Sequence, residues 1–309
     1  SGATLRVCKI GCEYSSIGGA LDDSVPGDTI RVQNGNYSEN LRIDTDVTIT
    51  GANTRWVRLT PSDSNSPAII VGPSSARVSL TDLTIVGGER RTGNGVNVTG
   101  DSRLLVEDSR ITGFKKGLTA RNSSYLKVRN SDVGNSEVGV SGFDNSEVIT
   151  SGTRITSAAK GLVANDSSVM TLVEAEITNC DINSLLIRKT AKVNVLSSSF
   201  TNNGAPGIVL KDFSRLKMED SQVSSNEEGG VLLADSAIAK LIDNRITYNG
   251  KKNVAIISKK CGFSGPSNLF FGEVDGPGND IKPQNSDTVC PEKFSRITSS
   301  TGGSYSYPF

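Results

Sequence analysis

The sequence predicts an all-β chain: a single-stranded right-handed parallel β-helix, or solenoid, with a short amino-terminal capping helix and an irregular carboxy-terminal cap. Three observations lead there. An apolar residue recurs after each Ser/Thr-rich turn as Ile85, Ile111, Val133, Ile155, Ile177, Phe200, Val223 and Ile246, at spacings that settle at 22 and then 23. Apolar pairs alternate with polar residues at Leu104 and Val106, Leu126 and Val128, Val193 and Val195, and Leu216 and Met218, as in a strand with one buried face. A third series, Leu118, Val140, Leu162, Leu185, Ile208, Val231 and Val254, opens another strand, in most coils just after a glycine such as Gly117, Gly139 or Gly230.

Three short strands per coil follow, and roughly ten coils fit the chain; a coil buries its inward residues only with neighbours about 4.8 Å above and below. At the amino terminus Ser15 or Ser16 can cap a short helix with Ile17, Ala20 and Leu21 as its apolar stripe, ended by Pro26-Gly27. Residues 1–40 then form the cap and first coil, 41–258 the coil array and 259–309 the second cap, all within one domain spanning 1–309. Within the array, Ile155 to Leu162 is seven positions but Ile177 to Leu185 is eight, which places the extra residue in one turn. That same turn lengthens between Ile85 and Val96 to take in Gly88-Glu89-Arg90-Arg91-Thr92-Gly93-Asn94, as a solvent-facing turn can. Asn122-Ser123-Ser124, Asn145-Ser146, Asn165-Asp166-Ser167 and Asp212-Phe213-Ser214 recur in another turn, where Asn and Asp accept left-handed dihedrals. Asn36, Asn97, Asn122 and Asn165 also begin Asn-x-Ser/Thr sequons. After Ser258 the repeat breaks, and Phe263, Phe270, Phe271, Phe294, Tyr305, Tyr307 and Phe309 concentrate there, either to cover the last coil or to form a sugar-stacking platform.

Thirty-three basic residues balance thirty-three acidic ones, so no global field draws the chain onto nucleic acid or an anionic membrane. No apolar run reaches the roughly 18 residues of a membrane span, and no membrane insertion is expected. The opening residues lack the basic and apolar regions of a signal peptide, so a mature chain is expected. Among five cysteines, Cys8 with Cys12 and Cys261 with Cys290 can staple the two ends, leaving Cys180 free; five reduced thiols in a cytosolic protein are the alternative. Zinc ligation is disfavoured, since the chain has neither a CxxC pair nor a histidine.

The run from Tyr14 to Gly51 resembles the opening of many right-handed β-helix proteins of the pectin-lyase-like superfamily. The matching elements are Tyr14-Ser15-Ser16-Ile17, Ala20-Leu21, Pro26-Gly27-Asp28-Thr29-Ile30-Arg31-Val32, Gly35-Asn36-Tyr37-Ser38-Glu39-Asn40 and Val47-Thr48-Ile49-Thr50-Gly51. It looks closest to the NosD-like and parallel β-helix repeat proteins. The resemblance implies an exported protein, extracellular, cell-surface or periplasmic, with a carbohydrate-related role; the matching elements bear on fold and carry no catalytic residue.

Enzyme chemistry is tested against the residues present. Polygalacturonase-like hydrolysis uses clustered aspartates with a histidine in that superfamily, and here Asp22-Asp23 falls in the cap helix while Asp44 and Asp46 flank an early strand. The pectin-esterase elements Asp-Phe-Ile-Phe-Gly and Gly-Arg-Pro-Trp do not occur, and the single tryptophan is Trp56. A polysaccharide lyase is the enzyme that fits best, needing acidic ligands for Ca²⁺ and an Arg or Lys to take the α-proton. Those groups come from separate coils, so their spacing in sequence does not reveal them.

One constellation can be placed by coil alignment: Arg90 and Arg91 in the long turn beside Lys115 and Lys116 in the same turn of the next coil. Four cations on one edge can hold uronate carboxylates or sulfates. The plainer reading is a solvated face, since Glu89, Glu137, Glu227-Glu228 and Lys251-Lys252 set up alternating-sign ladders between turns. The function expected is a surface or extracellular module that binds a polysaccharide or cell-surface glycan or serves a structural role, without catalysis and without a metal or cofactor. The alternative is a Ca²⁺-dependent lyase acting on acidic polysaccharide.

Overall fold

The computed structural model describes residues 2–264, 270–282 and 288–298, the side chains of 295 and 296 aside, together with the backbone of 305–306. It is an all-β parallel solenoid of about 11 turns whose strands form three parallel sheets. The chain divides into two compact units, residues 1–154 and 155–309, each built on the same coil.

In the first unit, the first sheet contains Thr4–Val7, Asp28–Val32, Val47–Gly51, Arg77–Thr81, Arg103–Glu107, Tyr125–Arg129 and Glu147–Ser151. The second sheet contains Gly35–Ser38, Val57–Thr60, Thr84–Val86, Arg110–Thr112 and Asp132–Gly134, and the third Leu41–Ile43, Ile69–Val71, Asn94–Val98, Lys116–Ala120 and Val138–Gly142. Parallel partners are one coil apart, so like residues stack: Tyr37 on Leu59, Leu59 on Ile85, Ile85 on Ile111 and Ile111 on Val133. Each of these side chains is buried. Period-two alternation turns every second residue inward, and the stacked coils remove those columns from water.

The amino-terminal helix is Ile17–Asp22, capped by Ser16, whose hydroxyl accepts from the Gly19 amide. Ile17 and Ala20 are buried, whereas Leu21 is only half-buried. Glu39 closes the helix start by accepting from the Ile17 and Gly18 amides at 2.9 and 2.7 Å. Asp28 is buried and accepts from the amides of Ala3 and Val25, tying the first strand to the loop after the helix.

The second unit repeats the coil. Ile177, Phe200, Val223, Ile246 and Ile281 stack along its second sheet, and Leu185, Ile208, Val231 and Val254 along its third. The repeat therefore extends past Ser258: Glu273–Asp275, Asp280–Lys282 and Val289–Cys290 pair in parallel with Ile238–Ile242, Arg245–Thr247 and Val254–Ile256. Residues 259–272, entering between the third-sheet strand and the next first-sheet strand, stretch the spacing and hide this coil from a search at 22 or 23 residues. Tyr305–Ser306 adds an antiparallel strand beside Glu273 and Val274. Phe270 and Phe294 are buried edge-on to each other with centroids 6.2 Å apart, while Phe271 is half-exposed. Buried aromatics of this kind cover apolar interior; Tyr307 and Phe309 lie outside the described residues.

From Asp82 onward, most corners of the coil turn through a left-handed residue. Asp82, Asp108 and Asn130 do so between first and second sheets in the first unit, and Glu174, Ser197, Asp220 and Asp243 in the second. Asn122 and Asp144, then Asp166, Lys189, Asp212 and Asp235, do so between third and first sheets. Asp and Asn tolerate this region because the short polar side chain bonds locally, and Asp235 accepts from the Asp212 amide as Asp212 accepts from the Lys189 amide. A glycine opens the third-sheet strands for a different reason: a Cβ at Gly117 would sit 2.6 Å from the Gly139 carbonyl of the next coil.

Two pairs of cysteines are disulfide-bonded, Cys8–Cys12 and Cys261–Cys290, and Cys180 is free and buried. No described helix is long and apolar enough to cross a membrane.

Candidate functional site: the outer face of the third sheet

In the first unit the middle outward position of the third sheet is polar, with Asn97, Thr119 and Ser141 on successive coils. The Thr119 and Ser141 hydroxyls lie 3.1 Å apart. The turn that leads into this sheet carries the basic residues singled out by coil alignment. Lys115 donates its amide to the Gly93 carbonyl, and Asn94 pairs with Lys116, so the long turn and the Lys115-Lys116 turn are neighbours. Their side chains go different ways. The Arg91 guanidinium reaches Asn135, donating to its Oδ1 at 2.7 Å, while Arg90 and Lys115 are exposed. Lys116 lies with its Nζ 5.0 Å from the Phe143 ring, which also carries the Arg121 guanidinium at 4.4 Å. Burial, with Arg121 and Lys115 close by, lowers the Lys116 pKa. The structure thus adds Arg121 and Phe143 to the predicted basic edge; neither follows from charge spacing alone, because Phe143 and Arg121 meet across coils.

In the second unit the same outward column is apolar, with Leu186, Val209 and Leu232 on successive coils. These residues floor an open cleft of about 600 Å³ whose rim includes Lys160, Arg188, Lys211, Glu228, Lys251 and Phe263. The cleft forms because the strands Ile208–Leu210 and Val231–Leu233 are apolar at three consecutive positions, so both of their faces shed water. Lys251 is held by Glu228 at 2.5 Å, and the Arg188 Nε lies 3.8 Å from Asp212. Among the described residues Lys160 and Lys211 have no ion-pair partner. Four cations and one carboxylate around an apolar floor attract an anion, and the floor can take the apolar face of a sugar ring.

Among the described residues no group of three or more His, Cys, Asp and Glu side chains is placed to hold a metal ion. Asp44 is paired with Arg42 at 2.9 Å, and Asp46 accepts from the Arg77 amide, so these early carboxylates serve the coil. Consecutive apolar residues at 185–187, 208–210 and 231–233 are the sequence signal for the cleft; the two outer members of each triplet point inward and the middle one lies outside the inward repeat.

Stacked parallel coils with three sheets, an amino-terminal cap helix and a ligand-sized cleft on one outer face define a right-handed parallel β-helix protein of the pectin-lyase-like fold. The profile described as the right-handed β-helix region matches residues 29–194 and 161–266. The chain belongs to that family. Solved structures agree on the fold: the A-module of mannuronan C-5 epimerase AlgE4 from Azotobacter vinelandii superposes with a TM-score of 0.67 at 16% identity, covering 86% of this chain and 81% of that one. The Dettilon tailspike protein gives 0.67 at 10% identity, covering 90% of this chain and 61% of that one. Pectate lyase Pel9A gives 0.52 at 12% identity, covering 92% and 78% respectively. Among curated proteins no sequence match is found.

Proposed function

We propose that this chain is an exported or cell-surface β-helix module that holds an acidic polysaccharide in the cleft of the second unit without turning it over. The observation that carries the reading is the pair of unpartnered lysines, Lys160 and Lys211, above the apolar floor of Leu186, Val209 and Leu232. A uronate or sulfate group supplies the missing counter-charge, and a sugar ring covers the floor. Support for a polysaccharide ligand comes from the structural neighbours, which include a mannuronan epimerase and a pectate lyase. The disulfides at Cys8–Cys12 and Cys261–Cys290 support an oxidising compartment outside the cytosol.

Calorimetric titration with a uronate hexasaccharide tests the reading. Saturable binding is expected, weakened about a hundredfold when Lys160 and Lys211 are both replaced by alanine, since each charge-assisted contact contributes about 1.5 kcal/mol. Parallel incubation with uronate polymers, followed at the absorbance of the unsaturated product with and without Ca²⁺, is expected to stay flat. Sustained product formation would show a lyase instead, and binding untouched by K160A/K211A would remove the cleft from the account.

A further inference from the structure

A second cavity lies on a different part of the coil, in the first unit, along the corner between first and second sheets. Its volume is about 700 Å³. One wall is the row of left-handed corner residues Asp82, Asp108 and Asn130. The floor is the outward row of the second sheet, in which Arg58, Thr84, Arg110 and Asp132 succeed one another coil by coil. Thr54 and Arg55, from the longer loop that precedes Val57, close one end, and the Thr84 hydroxyl donates to the Thr54 carbonyl at 2.6 Å.

The charges of this groove are not satisfied by one another. Among the described residues, Arg58, Arg110, Asp82, Asp108 and Asp132 form no ion pair and no side-chain hydrogen bond, although all five line the same cavity. Elsewhere the coil lets adjacent charges meet: Arg129 pairs with Glu107, Lys189 with Asp166 and Lys217 with Glu219. Here Asp82 and Asp108 at the corner and Arg58 and Arg110 on the sheet face the same space from separate rows, and Asp132 follows Arg110 on the next coil of the sheet row.

We propose that this groove is a second binding site, for an acidic oligosaccharide running along the stacked coils. Arg58 and Arg110 take its carboxylates or sulfates, while Asp82, Asp108 and Asn130 accept or exchange hydrogen bonds with its hydroxyls. The two arginines are two coils apart, about 9.6 Å at the usual strand spacing, so two successive acid groups of one chain engage them and a lone anion does not. Guanidinium forks suit planar carboxylate and tetrahedral sulfate alike. Burial, with Asp108 and Glu107 nearby, raises the pKa of Asp82. The ligand's class rests on the polysaccharide reading above; the site itself does not depend on the cleft of the second unit.

The single tryptophan supplies a local reporter. Trp56 is about half exposed, and the guanidinium of Arg55, which lines the groove, stands 4.8 Å from its ring. Titration of the whole protein with a uronate hexasaccharide and, separately, a sulfated hexasaccharide is expected to change Trp56 emission saturably. Whichever of the two acts identifies the acid group. R58A and R110A are each expected to weaken that response about tenfold, the equivalent of one charge-assisted contact, with thermal midpoints unchanged because both side chains are exposed. The carboxyl-reduced hexasaccharide is expected to give none. A response that R58A and R110A leave intact overturns the site, as does the lack of any saturable binding, by emission or calorimetry, in the K160A/K211A background. Emission that persists in K160A/K211A while that double variant's calorimetry matches wild type would retain this groove and reject the cleft; calorimetric binding weakened by K160A/K211A but untouched by R58A and R110A would do the reverse.

Discussion

The side-chain amide of Asn226 donates to the Oδ1 of Asn249 at 2.8 Å and to the Phe200 carbonyl at 2.9 Å, one rung of a buried asparagine ladder. Its own oxygen accepts from Asn203 at 2.7 Å, and Asn249 in turn donates to Asn253 at 2.9 Å. A corner of the coil turns its backbone away from the sheets, and these carboxamides satisfy the amides and carbonyls that the turn leaves without strand partners.

Replacing Asn226 by alanine should therefore cost far more than the loss of one contact. The Phe200 carbonyl would lose its Asn226 donor, and one N–H of the Asn203 side chain would lose its acceptor while the other keeps the Ile177 carbonyl at 3.4 Å, at about 1 to 3 kcal/mol for each buried group left short. Urea unfolding is expected to show a loss of about 3 kcal/mol for N226A. Asn36→Ala, at an exposed position, should stay within about 0.5 kcal/mol. Equal effects at the two positions would show that the ladder contributes nothing beyond surface chemistry.

The two disulfides should differ in what they contribute. Cys261–Cys290 closes a separation of 29 residues and Cys8–Cys12 one of 4. The chain-entropy relation gives about 3.6 kcal/mol for the longer loop and about 1.9 kcal/mol for the shorter. Differential scanning of the two double-serine variants should show the larger fall in Tm for C261S/C290S. The same rank order is expected for protease sensitivity of the last coil, whose second-sheet strand packs on the preceding coil through Ile246 and Ile281.

How far the sequence reveals this molecule depends on which side of the strand a residue faces. Inward columns such as Ile85, Ile111 and Val133 are forced to be apolar on every coil, so they repeat and can be read directly. The last coil escapes because residues 259–272 separate Ile246 from Ile281 by more than a regular repeat. The Asn203, Asn226 and Asn249 ladder escapes because asparagine at a turn looks the same whether buried or solvated. Outward residues carry the sites, and no packing requirement makes Arg58 and Arg110, or Lys160 and Lys211, recur at a fixed spacing. Coil alignment could bring Lys115 and Lys116 beside the long turn, but the meeting of Lys116 and Arg121 on Phe143 depends on side-chain directions that only the structure supplies.

That meeting predicts a split within the basic edge. Lys116→Ala removes a cation from the face of Phe143 and uncovers the ring, at about 0.5 to 1 kcal/mol. Lys115→Ala and Arg90→Ala change exposed side chains and should fall within about 0.5 kcal/mol. Thermal unfolding of the three single variants checks the order. Retention of the quadruple Arg90, Arg91, Lys115 and Lys116 alanine variant on an acidic polysaccharide column, compared with wild type, then tests whether the edge adds to binding; unchanged retention would make it a solvated face.

Cys180 offers the sharpest dependence on pH. Its backbone amide donates to Asn203 Oδ1 at 2.9 Å, so a thiol occupies the column that asparagines fill on the following coils. Burial pushes the thiol up to about 11 from an ordinary value of 9.0, with hydrogen bonds from the Ala158 and Gly161 backbone opposing the rise. The folded chain thus holds this proton more tightly than the unfolded chain. Its contribution is fully present below pH 9 and declines as pH rises toward 11, by roughly 2 to 3 kcal/mol at 1.36 kcal/mol per unit. Cys180→Ala removes the titrating group, leaving the alkaline loss due to Tyr37 and Tyr125, whose pKa values burial also raises. Urea unfolding at pH 8 and pH 10.5 should accordingly show a smaller drop for C180A than for wild type, and a thiol reagent at pH 8 should modify wild type only after unfolding. Identical drops, or rapid modification of the folded chain, would mean that the thiol meets solvent.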